Sequence, residues 1–194
     1  MFALTFDDGP GPSTEGLLDV LCSAGVRATF FLLGRNLEEA PWCGDPARAR
    51  ALVLRAAREG HVLGNHTYSH FKPDRWREFA ADLKGGEAAV RAVRAEAGLP
   101  DGPVLASVGR AHLHWTSDFD DWKLAREDGP RLAAKMSAHI EQCLALGMDA
   151  VLDLHDSGTG SSHGYDRPAT VEGVRLFLAE AQRRKWRSFT IPQP

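Results

Sequence analysis

A chain of 194 residues is long enough for one domain with a sizeable core and short for two. Hydrophobic residues make up 43% and charged residues 25%, and the formal net charge of −3 leaves no footprint for nucleic acid or an anionic membrane surface. No apolar run is long enough to insert into a membrane, and no basic-then-apolar leader precedes the first strand. As written the chain reads as cytoplasmic, although a secreted parent trimmed to its mature domain would look the same. Cys22, Cys43 and Cys143 are too few and too widely spaced for a zinc ribbon or a disulfide framework. Cys22 and Cys143 are expected as buried small hydrophobes.

In chain order, Phe2, Ala3, Leu4 and Phe6 read as a short buried strand that Gly9-Pro10 stops. Asp7 and Asp8 therefore fall at the carboxyl end of a strand, the edge where α/β proteins collect ligands and catalytic groups. Successive strand residues face opposite ways, so one carboxylate is expected to bind a cation and the other to face substrate or water. Ser13-Thr14-Glu15 offers a helix cap, Leu17, Leu18, Leu21 and Cys22 recur at helical spacing, and Gly25 ends the helix. Residues 28–34 are apolar throughout, as parallel strands are. A polar loop with Pro41, Trp42 and Pro46 follows, then a helix over 47–59, a strand over 61–65 and a helix over 76–97 stopped by Gly98. Residues 111–115 read as a strand, 130–147 as a helix, 150–155 as a strand, 171–184 as a helix and 188–191 as a last strand.

Strand and helix alternate without repeat or linker, which predicts a parallel sheet or barrel with helices outside it. Polar groups follow strand after strand: Asp7 and Asp8, His66, Asp118 and Asp121, then His155. A barrel whose site is built from strand-end loops gathers them better than a flat doubly wound sheet does. With about six strands visible, a distorted, incomplete (β/α) barrel with parallel strands is expected.

His66-Thr67-Tyr68-Ser69-His70 places two histidines at i and i+4, one face of a helical turn, at the same edge as Asp8. Two imidazoles and one carboxylate leave positions open for water and substrate, as a catalytic metal requires. Asp118-Phe119-Asp120-Asp121-Trp122 gathers three carboxylates beside an aromatic, and His155 stands just past a buried strand. His61, His112, His114, His139 and His163 lack a second partner at ligand spacing and are expected to be structural or exposed.

Thr5-Phe6-Asp7-Asp8-Gly9-Pro10, His66-Thr67-Tyr68-Ser69-His70, Asp118-Phe119-Asp120-Asp121-Trp122 and Leu152-Asp153-Leu154-His155 resemble, in order, the first, second, fourth and fifth motifs of the polysaccharide deacetylases, the family 4 carbohydrate esterases. Ala28-Thr29-Phe30-Phe31 and residues 186–191 are similar to that family too, so the likeness spans nearly the whole chain. It implies a single catalytic domain over residues 1–194, folded as a distorted (β/α) barrel. It further implies metal-assisted removal of an N- or O-acetyl group from a sugar or oligosaccharide. Asp8, His66 and His70 would hold a divalent ion, zinc first, with cobalt, nickel or manganese as alternatives. Asp7 would be the general base, His155 the general acid and Asp121 its orienting carboxylate, while Trp122 and Leu154 would wall the acetyl pocket.

One departure stands out. The family's third motif, an Arg-Pro-Pro-aromatic segment whose arginine orients the base, should fall between Leu99 and Val108, and no such segment is there. Arg27 and Arg110 are the basic residues left to stand in for it. A carbohydrate-binding relative that keeps the metal without turnover, or a barrel hydrolase cleaving a small amide or imide, are the alternatives this leaves open.

Overall fold

The computed structural model describes residues 1–71, 76–107, 115–160 and 163–192. Five strands form one sheet among them: β1 (Phe2–Gly9), β2 (Thr29–Leu32), β3 (Val62–Asn65), β4 (Ser117–Asp118) and β5 (Ala150–His155), in the order β3-β2-β1-β5-β4. Every pairing is parallel. The crossovers are the helices α1 (Thr14–Ala24), α2 (Gly34–Glu38), α3 (Pro46–Arg58), α4 (Trp76–Glu96) and α5 (Gly129–Ala145), with α6 (Pro168–Arg184) after β5.

The two-residue period of the strands divides the interior. Phe2, Leu4, Phe6, Leu152 and Leu154 face the helices, where they meet Leu17, Leu18, Leu21, Leu132, Met136 and Phe177 in the main core. Ala3, Phe31 and Ile191 form a second, smaller core on the other face, with Leu105, Trp115, Val151 and Phe189 packed against it. A sheet lined with apolar groups on both faces is what a curved, barrel-like wall produces. Each burial of a Leu- or Phe-sized side chain contributes about 1.5–3 kcal/mol, so the thicker helix-side core carries most of the stability.

Several details differ from the sequence reading. Residues 188–191 do not add a strand: Ser188 makes a single bridge to Phe2, and Phe189 N–H donates to the Phe2 carbonyl. The expected strand at 111–115 lies outside the described residues except for Trp115, whose Nε1 donates to Thr5 Oγ1 at 3.1 Å. α2 is too short for any period to announce it. Cys143 is buried, but Cys22 is exposed, because Leu17, Leu18 and Leu21 take the inward face of α1. Ser13 sits at the start of α1 without capping it; its hydroxyl donates to Asp166 and accepts from the Arg167 N–H instead.

α4 packs on the loop after β3 through a close approach that only glycine permits. A Cβ at Gly86 would lie 2.3 Å from Asn65 Oδ1 and 2.4 Å from the Thr67 carbonyl carbon. Backbone cannot move aside as a flexible side chain can. Gly86→Ala is therefore expected to lower stability by at least about 1–3 kcal/mol in chemical denaturation. It should also displace the chain on either side of His66.

Candidate active site

β1 ends in a backbone irregularity that sets up the site. Its pairing with β2 shifts register between Asp7 and Gly9, and Asp8 has φ +71°. Strand alternation would have sent Asp8 away from Asp7. The left-handed residue, tolerable for Asp, turns it back instead. Both carboxylates consequently meet His66: Asp7 Oδ2 lies 3.5 Å from Nδ1, and Asp8 Oδ1 lies 3.4 Å from Nε2. Asn36 of α2 holds the bend by donating Nδ2 to the Asp8 carbonyl at 2.7 Å and the Gly158 carbonyl at 3.0 Å.

His66 and His70 are brought together by an open loop, not by the expected helical turn. Thr67 and His70 have φ of +71° and +62°, outside helical backbone. Local hydrogen bonds replace the missing helix ladder: Thr67 N–H donates to Asn65 Oδ1, and His70 N–H donates to Thr67 Oγ1. Asp82 of α4 accepts from the Ser69 N–H, the Ser69 hydroxyl and the Phe71 N–H. Burial works against that carboxylate, but these donors hold its pKa below the usual range.

Asp8, His66 and His70 are the group among the described residues that could hold a metal ion, with donor atoms all within 4.8 Å of one another. Two further observations fit that role. Asp8 Oδ1 is buried without a hydrogen-bond partner, a costly state that a cation would relieve. His66 Nδ1 lies 2.6 Å from the Ser107 carbonyl oxygen, which can only accept, so Nδ1 carries the proton and the Nε2 lone pair faces Asp8. Burial also lowers the His66 pKa, favouring the neutral ring a metal needs.

His155, at the end of β5, pairs with Asp121 through Nδ1 to Oδ1 at 2.8 Å. The other Asp121 oxygen accepts the His155 N–H at 3.0 Å and the Thr170 hydroxyl. Burial opposes the charged imidazole, but Asp121 overrides it and pushes the pKa up to about 10. Asp7 faces this cation across the site. Its own pKa is raised well above the carboxylate range by burial, against the pull of His155 and the Ser107 hydroxyl.

A cavity of about 420 Å³ opens onto these groups, lined by Asp8, His70, Trp122, His155, Thr159, His163 and Arg167. Trp122 lines this cavity. Leu154 does not: it is fully buried in the helix-side core, opposite Phe6 in the register, and strand alternation gives the inner face to Asp153 and His155. Arg27 is also misplaced for a site role, since it precedes β2 and lies against Gly60 and His61 at the opposite edge. Arg110 lies outside the described residues. His61 is structural, accepting the Ala28 N–H, and His139 is tied to Thr116. His163 is exposed, but its ring meets Trp122 edge-on with centroids 4.8 Å apart, so it belongs to the cavity wall. Arg167 braces that wall, donating to the His163, Gly164 and Asp166 carbonyls. The sequence carries no spacing signal for His163 or Arg167, because a long loop brings them back.

The carboxyl edge also stores electrostatic strain. Burial, then Asp7, pushes Asp153 up to about 9, and burial pushes Asp156 up to about 7. Both bind protons in the folded chain that the unfolded chain has released above its ordinary value of 3.8, so their stability contribution falls as pH rises. His155, raised to about 10, contributes stability that is full below 6.5 and lost on rising through 10. His61 and His66, lowered by burial, act oppositely and only below the ordinary histidine value of 6.5. The metal-free protein is therefore expected to melt at lower temperature at about pH 9 than at about pH 6.5. Asp153→Asn should recover about 1–3 kcal/mol at the higher pH. A melting temperature flat across that range, by calorimetry, contradicts this reading.

No helix among the described residues is long and apolar enough to cross a membrane. The sequence model described as polysaccharide deacetylase matches residues 1–95. A chitooligosaccharide deacetylase of Bradyrhizobium sp. is 31% identical, covering 98% of this chain and 88% of its own. A peptidoglycan-N-acetylglucosamine deacetylase of Bacillus cereus is 54% identical over 69 residues, 35% of this chain and 22% of that protein. In fold, the chain resembles the catalytic domain of a peptidoglycan N-acetylglucosamine deacetylase from Eubacterium rectale, with a TM-score of 0.70 over 100% of this chain and 90% of that one, at 18% identity. A polysaccharide deacetylase structure from Bacillus cereus gives 0.68 over 95% and 88%, at 24% identity. These likenesses agree with the distorted (β/α) barrel built up above, and the chain belongs to the polysaccharide deacetylase family, the family 4 carbohydrate esterases.

Proposed function

We propose that this protein is a metal-dependent hydrolase that removes acetyl groups from N-acetylglucosamine-type sugars, as oligosaccharide or peptidoglycan fragment. Asp8, His66 and His70 hold the divalent ion, with zinc the best match to a nitrogen-rich, three-ligand set. When bound, such an ion supplies Lewis-acid polarisation of the acetyl carbonyl and acidifies a water molecule.

The remaining work falls to the chain. Asp7, in the ionised form that the charged His155 and the Ser107 hydroxyl favour against burial, takes the proton of the attacking water. His155, kept charged by Asp121, gives its proton to the departing sugar nitrogen or oxygen. Acid and base are thus supplied by two groups whose surroundings drive them into different roles. Trp122 and His163 offer an aromatic wall for the sugar or its acetyl group.

The observation that carries this reading is the joint one: three metal-type donors, a buried carboxylate against one of them and a carboxylate-held histidine gather at one sheet edge, where Asp8, His70 and His155 line a cavity. Acetate release from chitooligosaccharides and peptidoglycan fragments, with metal content measured on the same sample, tests it. Stoichiometric metal with no acetate from any acetylated sugar contradicts it.

A second reading is favoured by the missing Arg-Pro-Pro-aromatic segment between Leu99 and Val108: a sugar-binding relative that keeps the ion without turnover. Saccharide binding unchanged by Asp7→Asn, with no turnover in either form, is its signature.

A further inference from the structure

We infer that Ser107 is the positioning residue of the site, aiming the Asp7 carboxylate with its hydroxyl and the His66 ring with its carbonyl oxygen. The inference rests on the proposed deacetylase reading, in which Asp7 is the base and His66 a metal ligand.

Ser107 is fully buried. Its backbone is pinned to β3, since its N–H donates to the Asn65 carbonyl at 2.8 Å and Ala106 bridges to Asn65. Its hydroxyl donates to Asp7 Oδ2 at 2.9 Å, the one side-chain hydrogen bond to Asp7 among the described residues. Its carbonyl oxygen is the 2.6 Å partner of His66 Nδ1. One residue therefore touches both halves of the machinery, with a different atom for each.

The asymmetry at Asp7 gives this contact a chemical consequence. Oδ2 is occupied by the hydroxyl, whereas Oδ1 is buried without a partner. With Oδ2 held, the carboxylate cannot swing about its terminal torsion, and Oδ1 is the oxygen left with free lone pairs. Oδ1 is thus the atom that receives the water's proton. A serine hydroxyl does this as a neutral donor, from the stretch between Leu99 and Val108 where the family's arginine segment is missing.

Substitution separates the two roles, because Ser107→Ala deletes the hydroxyl and keeps the carbonyl. Losing a hydrogen bond to a charged group should lower kcat about ten- to a hundredfold, with KM and zinc affinity by chelator competition within about twofold. Ser107→Thr, which keeps the hydroxyl, should restore most of kcat. In metal-free protein labelled at aspartate Cγ, Ser107→Ala should move the Asp7 carboxyl resonance, assigned by its loss in Asp7→Asn, and Ser107→Thr should leave it near its original place. An unchanged kcat in Ser107→Ala, or zinc affinity falling with kcat while the Asp7 resonance stays put, overturns the inference. If the wild-type protein releases no acetate, the deacetylase reading has failed, and the carboxyl resonance still decides whether Ser107 aims Asp7.

Discussion

Asp7→Asn is expected to lower acetate release by at least about 10³-fold while leaving one metal ion per chain. The amide has nearly the shape of the carboxylate, and its oxygen can still accept from Ser107, so the packing survives. What is lost is the ability of Oδ1 to take a proton. The donor set of Asp8, His66 and His70 does not include Asp7, so metal content by elemental analysis should be unchanged. Loss of the ion together with activity would instead make Asp7 a ligand and remove the only base proposed for the reaction.

His155→Ala should lower kcat by about 10²–10⁴-fold on a sugar amide and much less on an aryl acetate. An amine leaves only after it gains a proton, whereas an aryl oxide departs without one. His155 is well set to give that proton, since Asp121 holds it charged and Thr170 and the His155 N–H hold Asp121. The ratio of the two rates in wild type and variant reads this directly. An equal loss on both substrates would assign His155 to binding or packing rather than to proton donation.

Much of this architecture was legible because hydrophobic period and turn residues report local structure. The run before Asp7, the apolar stretch around Phe30 and the strand ending at His155 each became a parallel strand, and the residues just past them did gather at one edge. What could not be read was how the backbone departs from ideal form there. Strand alternation put Asp7 and Asp8 on opposite faces and helical spacing put His66 over His70. Left-handed backbone at Asp8, Thr67 and His70 made both local rules fail while bringing the groups together. Leu154 departs from its expected place for the opposite reason: there the strand is regular, and alternation buries the leucine in the core. Ser107, His163 and Arg167 reach the site through contacts between residues far apart in the chain, which no local spacing records.

Anomalous diffraction at the zinc edge, from crystals grown with zinc, goes straight to the central claim that a cation is gripped by Asp8, His66 and His70. The expected result is a single strong peak touching Asp8 Oδ1 and the Nε2 atoms of both histidines, with Asp7 outside the shell and lost on His66→Ala. A peak elsewhere, or none among these three side chains at full zinc occupancy, would contradict the account.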